Sequence, residues 1–338
     1  MSSFISSFSL ASILNQTVLT AQSTLANDEQ EISTGVYADV GLTLGATTGQ
    51  DMMLRSQQSL LQTIGAANDT ASTNLTSTQT ILSNLQSTAQ DFLQTLLESS
   101  TTNSTAQATQ SAAQANLQSL INQLNTNVDG EYIFGGINSS VPPMTDGTSS
   151  VTSAYSSYLA SIPASSATIS ASQMQNFLDN QLPTLFQGAS WASNWSSASD
   201  TPIASQISPT QTVTTSVSAN QSAFQQLAQA YSMVADLGTT NLSSTAYQTV
   251  VSSAESLMQG AISSLTNIQA GLGTAQSAIT TANNYMSTQL NTLSTQIGNL
   301  ENVDTYAVST QATDLQTQIE TAYDLTSQLQ QLSLVKYL

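Results

Sequence analysis

The sequence predicts a mainly α-helical protein. Long N- and C-terminal helices pair in a coiled coil or helical bundle, and a smaller irregular or α+β insertion lies in the middle. Three observations predict it. Apolar residues recur every three or four positions over the first 130 residues and again over the last third of the chain. The six prolines, at 142, 143, 163, 183, 202 and 209, all fall between these two stretches, where proline breaks long helices. Both tryptophans, Trp191 and Trp195, lie there too.

Taken in order, Leu14, Val18, Ala21, Leu25 and Ile32 form a first stripe, interrupted by Asp28. Gly35 to Gly49 reads as a break, and its Gly-rich stretch has neither the spacing nor the lysine of a phosphate-binding loop. A second stripe runs Ile64, Ala67, Ala71, Leu75, Thr78, Leu82, Leu85, Ala89, Phe92, Leu96. From Ile64 to Leu97 this helix would be about 50 Å long. Asn103, Ser104 and Thr105 offer cap chemistry for a third helix with Ala113, Leu117, Leu120 and Leu124 inside.

Residues 170–187 read as a helix within a region of loops and short strands, with Phe177, Leu178, Leu182, Leu185, Phe186 and the tryptophans as its core. Val217, Asn220, Phe224, Leu227, Tyr231 and Val234 then make a shorter helix ending near Gly238. A long stripe from Val251 continues across Gly271 and Gly273 to Leu300. Asp304 is placed to cap a last helix containing Val308, Ala312, Leu315, Ile319, Ala322, Leu329 and Leu332.

Composition narrows function. Apolar residues make up 39% of the 338, but charged residues only 7%, against roughly 25% in an average domain. Arg55 and Lys336 are the two basic side chains against 20 acidic ones, a net charge of −18. Such a chain has no basic patch for nucleic acid or for anionic membranes. It has no cysteine and no histidine, which removes thiolate nucleophiles, the usual zinc sites and any Ser-His-Asp triad. No catalytic, cofactor or metal site is assigned, and the chain is not read as an enzyme. The N-terminus has neither a basic region nor a continuous apolar region of the kind a cleaved leader needs, so an exported chain would leave by another route. No apolar run approaches the roughly 18 residues of a membrane helix.

Two charged features remain. Asp28, Glu29 and Glu31 could do acid–base work or bind a divalent cation, but on an amphipathic helix they read as a solvated face. Asp51 and Arg55 are an i,i+4 pair, either a weak surface pair or a contact between subunits.

Several segments resemble the bacterial flagellin family, and within it the hook–filament junction proteins. Gly130-Glu-Tyr-Ile-Phe-Gly-Gly136 is similar to a junction-type signature through Gly130, Tyr132, Phe134, Gly135 and Gly136, and it follows the N-terminal helices as it should. Gln331-Leu-Ser-Leu-Val-Lys-Tyr-Leu338 resembles the C-terminal close of those proteins, and Leu300-Glu-Asn-Val-Asp304 the turn before their last helix. Ile32-Ser-Thr-Gly35 occupies the place of the segment after the first helix. The next run, Val36 to Gly45, departs from the usual basic and acidic pattern and resembles an alphaproteobacterial variant.

The resemblance implies an inner coiled-coil domain of residues 1–34 and 304–338, packed and assembled through Leu14, Val18, Leu25, Ile32, Leu315, Ile319, Leu329 and Leu332. A helical bundle of 50–136 and 213–303 follows, and 137–212 is a variable insertion facing outward. It also implies a homo-oligomer on a helical lattice outside the cell, with a hook-associated protein on the hook side and flagellin on the filament side. Export without a cleaved signal and a chaperone on the C-terminal helix belong to the same inference. The alternatives are flagellin itself, another exported coiled-coil interaction protein, or a carboxylate hydrolase around Asp146, Asp179 or Asp200.

Overall fold

A computed structural model describes residues 7–99, 106–162, 169–237 and 242–335. Helix dominates. α1 spans Ser7–Thr34, α2 Val40–Leu44, α3 Thr48–Ser99 and α4 Ala106–Leu124. α5 covers Thr148–Ser161, α6 Ala171–Asn180, α7 Gly188–Asn194 and α8 Ser222–Asp236. α9, Ser244–Glu301, has 58 residues, and α10 closes the chain at Thr305–Val335. Two antiparallel hairpins complete it: β1 (Asn127–Val128) with β2 (Glu131–Tyr132), and β3 (Ala204–Ser208) with β4 (Gln211–Thr214).

The chain divides into two units, residues 1–62 with 287–338, and residues 63–286. In the first, α1 and α10 pack together, burying Val18 and Ala21 against a helix that buries Ala312 and Ala322. The predicted break at 35–49 is shorter than its glycines suggest. The Asp39 carboxylate caps α2 through Leu42 N at 2.9 Å, and the Thr48 hydroxyl bonds the Gly45 carbonyl at 2.8 Å, so α3 starts at Thr48, well ahead of Ile64. The Asn103 to Thr105 cap and Gly238 lie outside the described residues.

The second unit is built on one continuous apolar cluster drawn from α3, α4, α8, α9 and the middle segment. α8 is buried almost all round, the mark of a helix inside a core rather than on its surface. Phe92 of α3 tilts against Tyr231 of α8 with ring centroids 5.2 Å apart. Phe177, Phe186, Trp191 and Trp195 of the middle segment join the same cluster, Trp191 stacking on Trp195 at 6.0 Å.

α5 was not legible as a helix, because Thr148–Ser161 is mostly serine and threonine, weak helix formers. What holds it is packing at i,i+4 spacing. Val151 and Tyr155 are buried, Tyr155 and Tyr158 lie 5.4 and 5.2 Å from Phe177, and the Tyr158 hydroxyl donates to the Gln173 carbonyl at 2.7 Å.

Candidate functional site

In the first unit, α1 and α10 form a two-helix seam. Val18 is buried, while Leu14, Leu25, Leu315 and Ile319 are half-buried and Ile32 is 38% exposed. Leu329 and Leu332 lie outside the residues whose side chains are described. The Gln22 side-chain amide donates to the Tyr323 hydroxyl at 3.0 Å across the seam. A pair of helices can cover only part of each apolar stripe, and Leu10, Ile13, Leu19, Tyr306, Tyr323 and Leu325 remain exposed on these two helices.

Asp28 corrects the reading of the acidic cluster as a solvated face. It is only 5% exposed, with Oδ2 lacking a hydrogen-bond partner, because it occupies the packed stripe of α1. Burial, and then the charge of Glu31, raise its carboxyl above the ordinary range. Glu29 is exposed, and the Glu31 carboxylate accepts the Ala38 N–H at 3.0 Å, turning the chain after α1.

That turn meets the one before α10. The Tyr37 N–H donates to the Glu301 carbonyl and the Val303 N–H to the Gly35 carbonyl, both at 3.0 Å, around a bridge between Val36 and Asn302. Gly35 sits at φ +75°, the left-handed conformation that ends α1. Asp304 caps α10 as the sequence predicts, accepting the Tyr306 and Ala307 N–H groups at 3.0 and 3.2 Å.

Beside this junction, Arg55 binds Glu301 with both arms of its guanidinium: Nε to Oε1 at 2.6 Å, and Nη2 to Oε2. Asp51 approaches Nε at 3.4 Å. Glu301 and Asp51 are buried while the Arg55 side chain is 53% exposed. The Glu301 hydrogen bond foremost holds the Arg55 guanidinium above its ordinary pKa. The sequence offers the Asp51–Arg55 pair alone; the stronger partner stands 246 residues away.

In the second unit, the Gly130–Gly136 segment is a connector. Asp129 and Gly130 carry φ of +53° and +91°, which closes the β1–β2 hairpin in two residues. The Tyr132 N–H donates to the Ser139 carbonyl at 2.8 Å. Phe134 is fully buried, edge-on to Phe224 at 5.8 Å, and its carbonyl accepts the Ala219 N–H at 2.8 Å. Gly135 accepts the Ser199 N–H at 2.9 Å, and a Cβ there would lie 2.6 Å from the Asn138 carbonyl oxygen. At Gly136 a Cβ would meet the Ser199 and Thr201 carbonyl oxygens at 2.7 Å. Glycine is required at both positions by this close approach.

The segment it touches is organised by Asn220, a residue the apolar stripe had absorbed. Asn220 precedes α8 and ties four groups: it accepts from Trp191 Nε1 (2.8 Å) and the Ser196 hydroxyl (2.6 Å), and donates to the Ala198 carbonyl (2.9 Å) and Asp200 (2.7 Å). Asp146 accepts from Thr148, and Asp179 from the Gln175 amide at 2.8 Å. Among the described residues, no group of three or more acidic side chains is gathered as a metal site, and no helix is long and apolar enough to cross a membrane.

The profile of the bacterial flagellin N-terminal helical region matches residues 5–139, and that of the bacterial flagellin C-terminal helical region matches residues 255–338. No curated protein matches the chain. The matched stretches hold both helices of the seam, the turns that meet beside Arg55, and the Gly130–Gly136 connector. The chain therefore belongs to the bacterial flagellin family, whose members are structural, non-enzymatic subunits of the extracellular flagellum and self-assemble into a helical polymer.

Proposed function

We propose that the chain is a hook-associated junction subunit that connects the hook to the filament. The observation that carries this is the Gly130–Gly136 segment, in its place between α4 and the middle segment, with Tyr132, Phe134, Gly135 and Gly136 each in a structural role there. The exposed apolar residues of the α1–α10 seam support assembly, since a lone pair of helices leaves surface for neighbouring copies to cover. In this reading Leu14, Val18, Leu25, Ile32, Leu315, Ile319, Leu329 and Leu332 serve the inner, axial domain. The hook-associated protein abuts on one side and flagellin on the other. Export proceeds without a cleaved signal, with a chaperone engaging the C-terminal helix before assembly. Residues 50–136 and 213–303 form the bundle domain, and 137–212 the outward-facing insertion.

The second reading is the filament subunit itself, favoured by the matches to both flagellin helical regions, which that subunit shares. Electron microscopy of a deletion strain, with its culture medium, separates the two. Bare hooks with unassembled flagellin in the medium are expected of a junction subunit. Lost filaments with no flagellin secreted would sink the junction role in favour of the filament subunit.

A further inference from the structure

Within the second unit, α3 and α9 carry repetitive stripes. Asn68, Leu75, Leu82, Ala89 and Leu96 recur every seven residues on α3, and each is fully buried. Val251, Met258, Leu265, Leu272, Ile279 and Met286 recur at the same interval on α9 and are buried too. Side-chain bonds join Asn68 to Asn283, Gln79 to Gln269 and Gln86 to Thr266, so the two helices run antiparallel. Stripes with this repeat do not fix their own register. A slip of seven residues, about 10 Å, would still lay apolar side chains on apolar side chains.

Asn68 interrupts the repeat. It occupies the buried position, whereas Ala67, which the apolar spacing had counted, is exposed. Asn68 Nδ2 donates to Asn283 Oδ1 of α9 at 2.7 Å and to the Ile207 carbonyl of β3 at 2.9 Å, and its Oδ1 is buried without a partner. Ile207 sits at a bulge. The ladder pairs Gln206 with Thr212 and Ser208 with Gln211, and passes over Ile207, whose side chain is fully buried. The other polar residues buried on this part of α3 are indifferent to register. Thr78 bonds the Asn74 carbonyl and Ser99 the Leu96 carbonyl of their own helix, at 2.8 and 3.0 Å, and both would do so in any alignment. The Gln79 amide meets a backbone carbonyl, which every register offers, and the Gln86 bond is exposed to competing water.

We propose that Asn68 is a register key, a positioning residue that admits one alignment of α9 on α3 and seats the β3–β4 hairpin at the same point. A slip of one heptad carries Asn283 about 10 Å away and leaves a buried amide short of a partner among apolar side chains. The key therefore acts by penalising wrong alignments. A single polar residue in an apolar helix stripe specifies register at a cost in stability, so the key is a device of specificity and not of strength. This goes beyond the assembly role and holds for a junction or a filament subunit alike.

The chain has no cysteine, so cysteine pairs placed in the full chain report the alignment without background. Gln79→Cys with Gln269→Cys reads the native register. Gln79→Cys with Gln276→Cys or with Ile262→Cys reads a slip of one heptad in either direction. Each pair is treated in dilute solution with a short bifunctional thiol reagent, and the intramolecular product is measured. With Asn68 in place, the native pair should cross-link and the slipped pairs should give traces. In Asn68→Leu the slipped products should rise about tenfold or more, while the melting temperature holds or rises because leucine completes the apolar stripe. Slipped products no higher in Asn68→Leu than in the parent would overturn the key, whatever the melting temperature does. Should Asn68→Leu fail to fold, Asn283→Ala at a half-buried position removes the α9 partner instead. The same rise is expected there, and its absence overturns the proposal.

Discussion

Arg55 carries the positive charge at a point where three chain segments meet, and its fork grips a carboxylate that is itself buried. Truncating one partner of a buried pair costs about 3–5 kcal/mol. The Arg55 side chain is half exposed, so solvent screening reduces that figure. Arg55→Ala is expected to destabilise the first unit by about 1–3 kcal/mol, measured by urea unfolding, with Arg55→Lys between it and the parent because an ammonium cannot grip both oxygens. A loss below about 0.5 kcal/mol would mean the pair is idle. Gly136 and Gly35, both at positive φ, should behave differently. Gly136→Ala adds a Cβ against two carbonyl oxygens and should cost about 2–4 kcal/mol. Gly35→Ala meets nothing within 4 Å and should cost only about 1 kcal/mol of left-handed strain. Equal thermal shifts for the two would refute the close-approach argument. At this scale the sequence was legible only in part. Glu301 stood in a recognisable turn, but nothing local pairs it with a residue 246 positions away. Asp28 was visible on its stripe, yet its charge pointed to solvent, and helix position prevailed over residue type.

At the scale of the element, helices were legible wherever apolar spacing was regular, including α9 straight through Gly271 and Gly273. A methyl group placed on either glycine would meet nothing within 4 Å, so nothing in the packing demands them. Gly271→Ala should stabilise the helix by about 0.5–1 kcal/mol, seen as a higher melting temperature by circular dichroism; a lower one would imply a contact that only glycine allows. The many threonines of so uncharged a chain are accommodated by bonding back onto their own helix. Thr310, Thr313, Thr317 and Thr321 of α10 each return their hydroxyl to the carbonyl four residues back, at 2.8–3.1 Å. The hydroxyl is thus satisfied within the helix, at a slight cost to helix stability, and the helices are held by their packed stripes. α5 escaped notice for the complementary reason: its serines and threonines conceal the apolar spacing of Val151, Tyr155 and Tyr158, which gains meaning once Phe177 is beside it.

At the scale of the molecule, the pairing of the chain's two ends was legible because both carry long stripes, and α1 packs on α10 as they require. The continuity of the middle segment's aromatic core with α3, α8 and α9 was not, since no local pattern shows which apolar faces meet across long stretches of chain. The exposed apolar seam, the flagellin helical regions and the connector at Gly130–Gly136 together lead to a flagellar subunit proposed to sit between hook and filament. Immunogold labelling of intact flagella with antibody raised against the full chain tests that placement most directly. Gold confined to one short band at the hook–filament boundary is the expected result, whereas gold along the whole filament, or none on the flagellum, would contradict it.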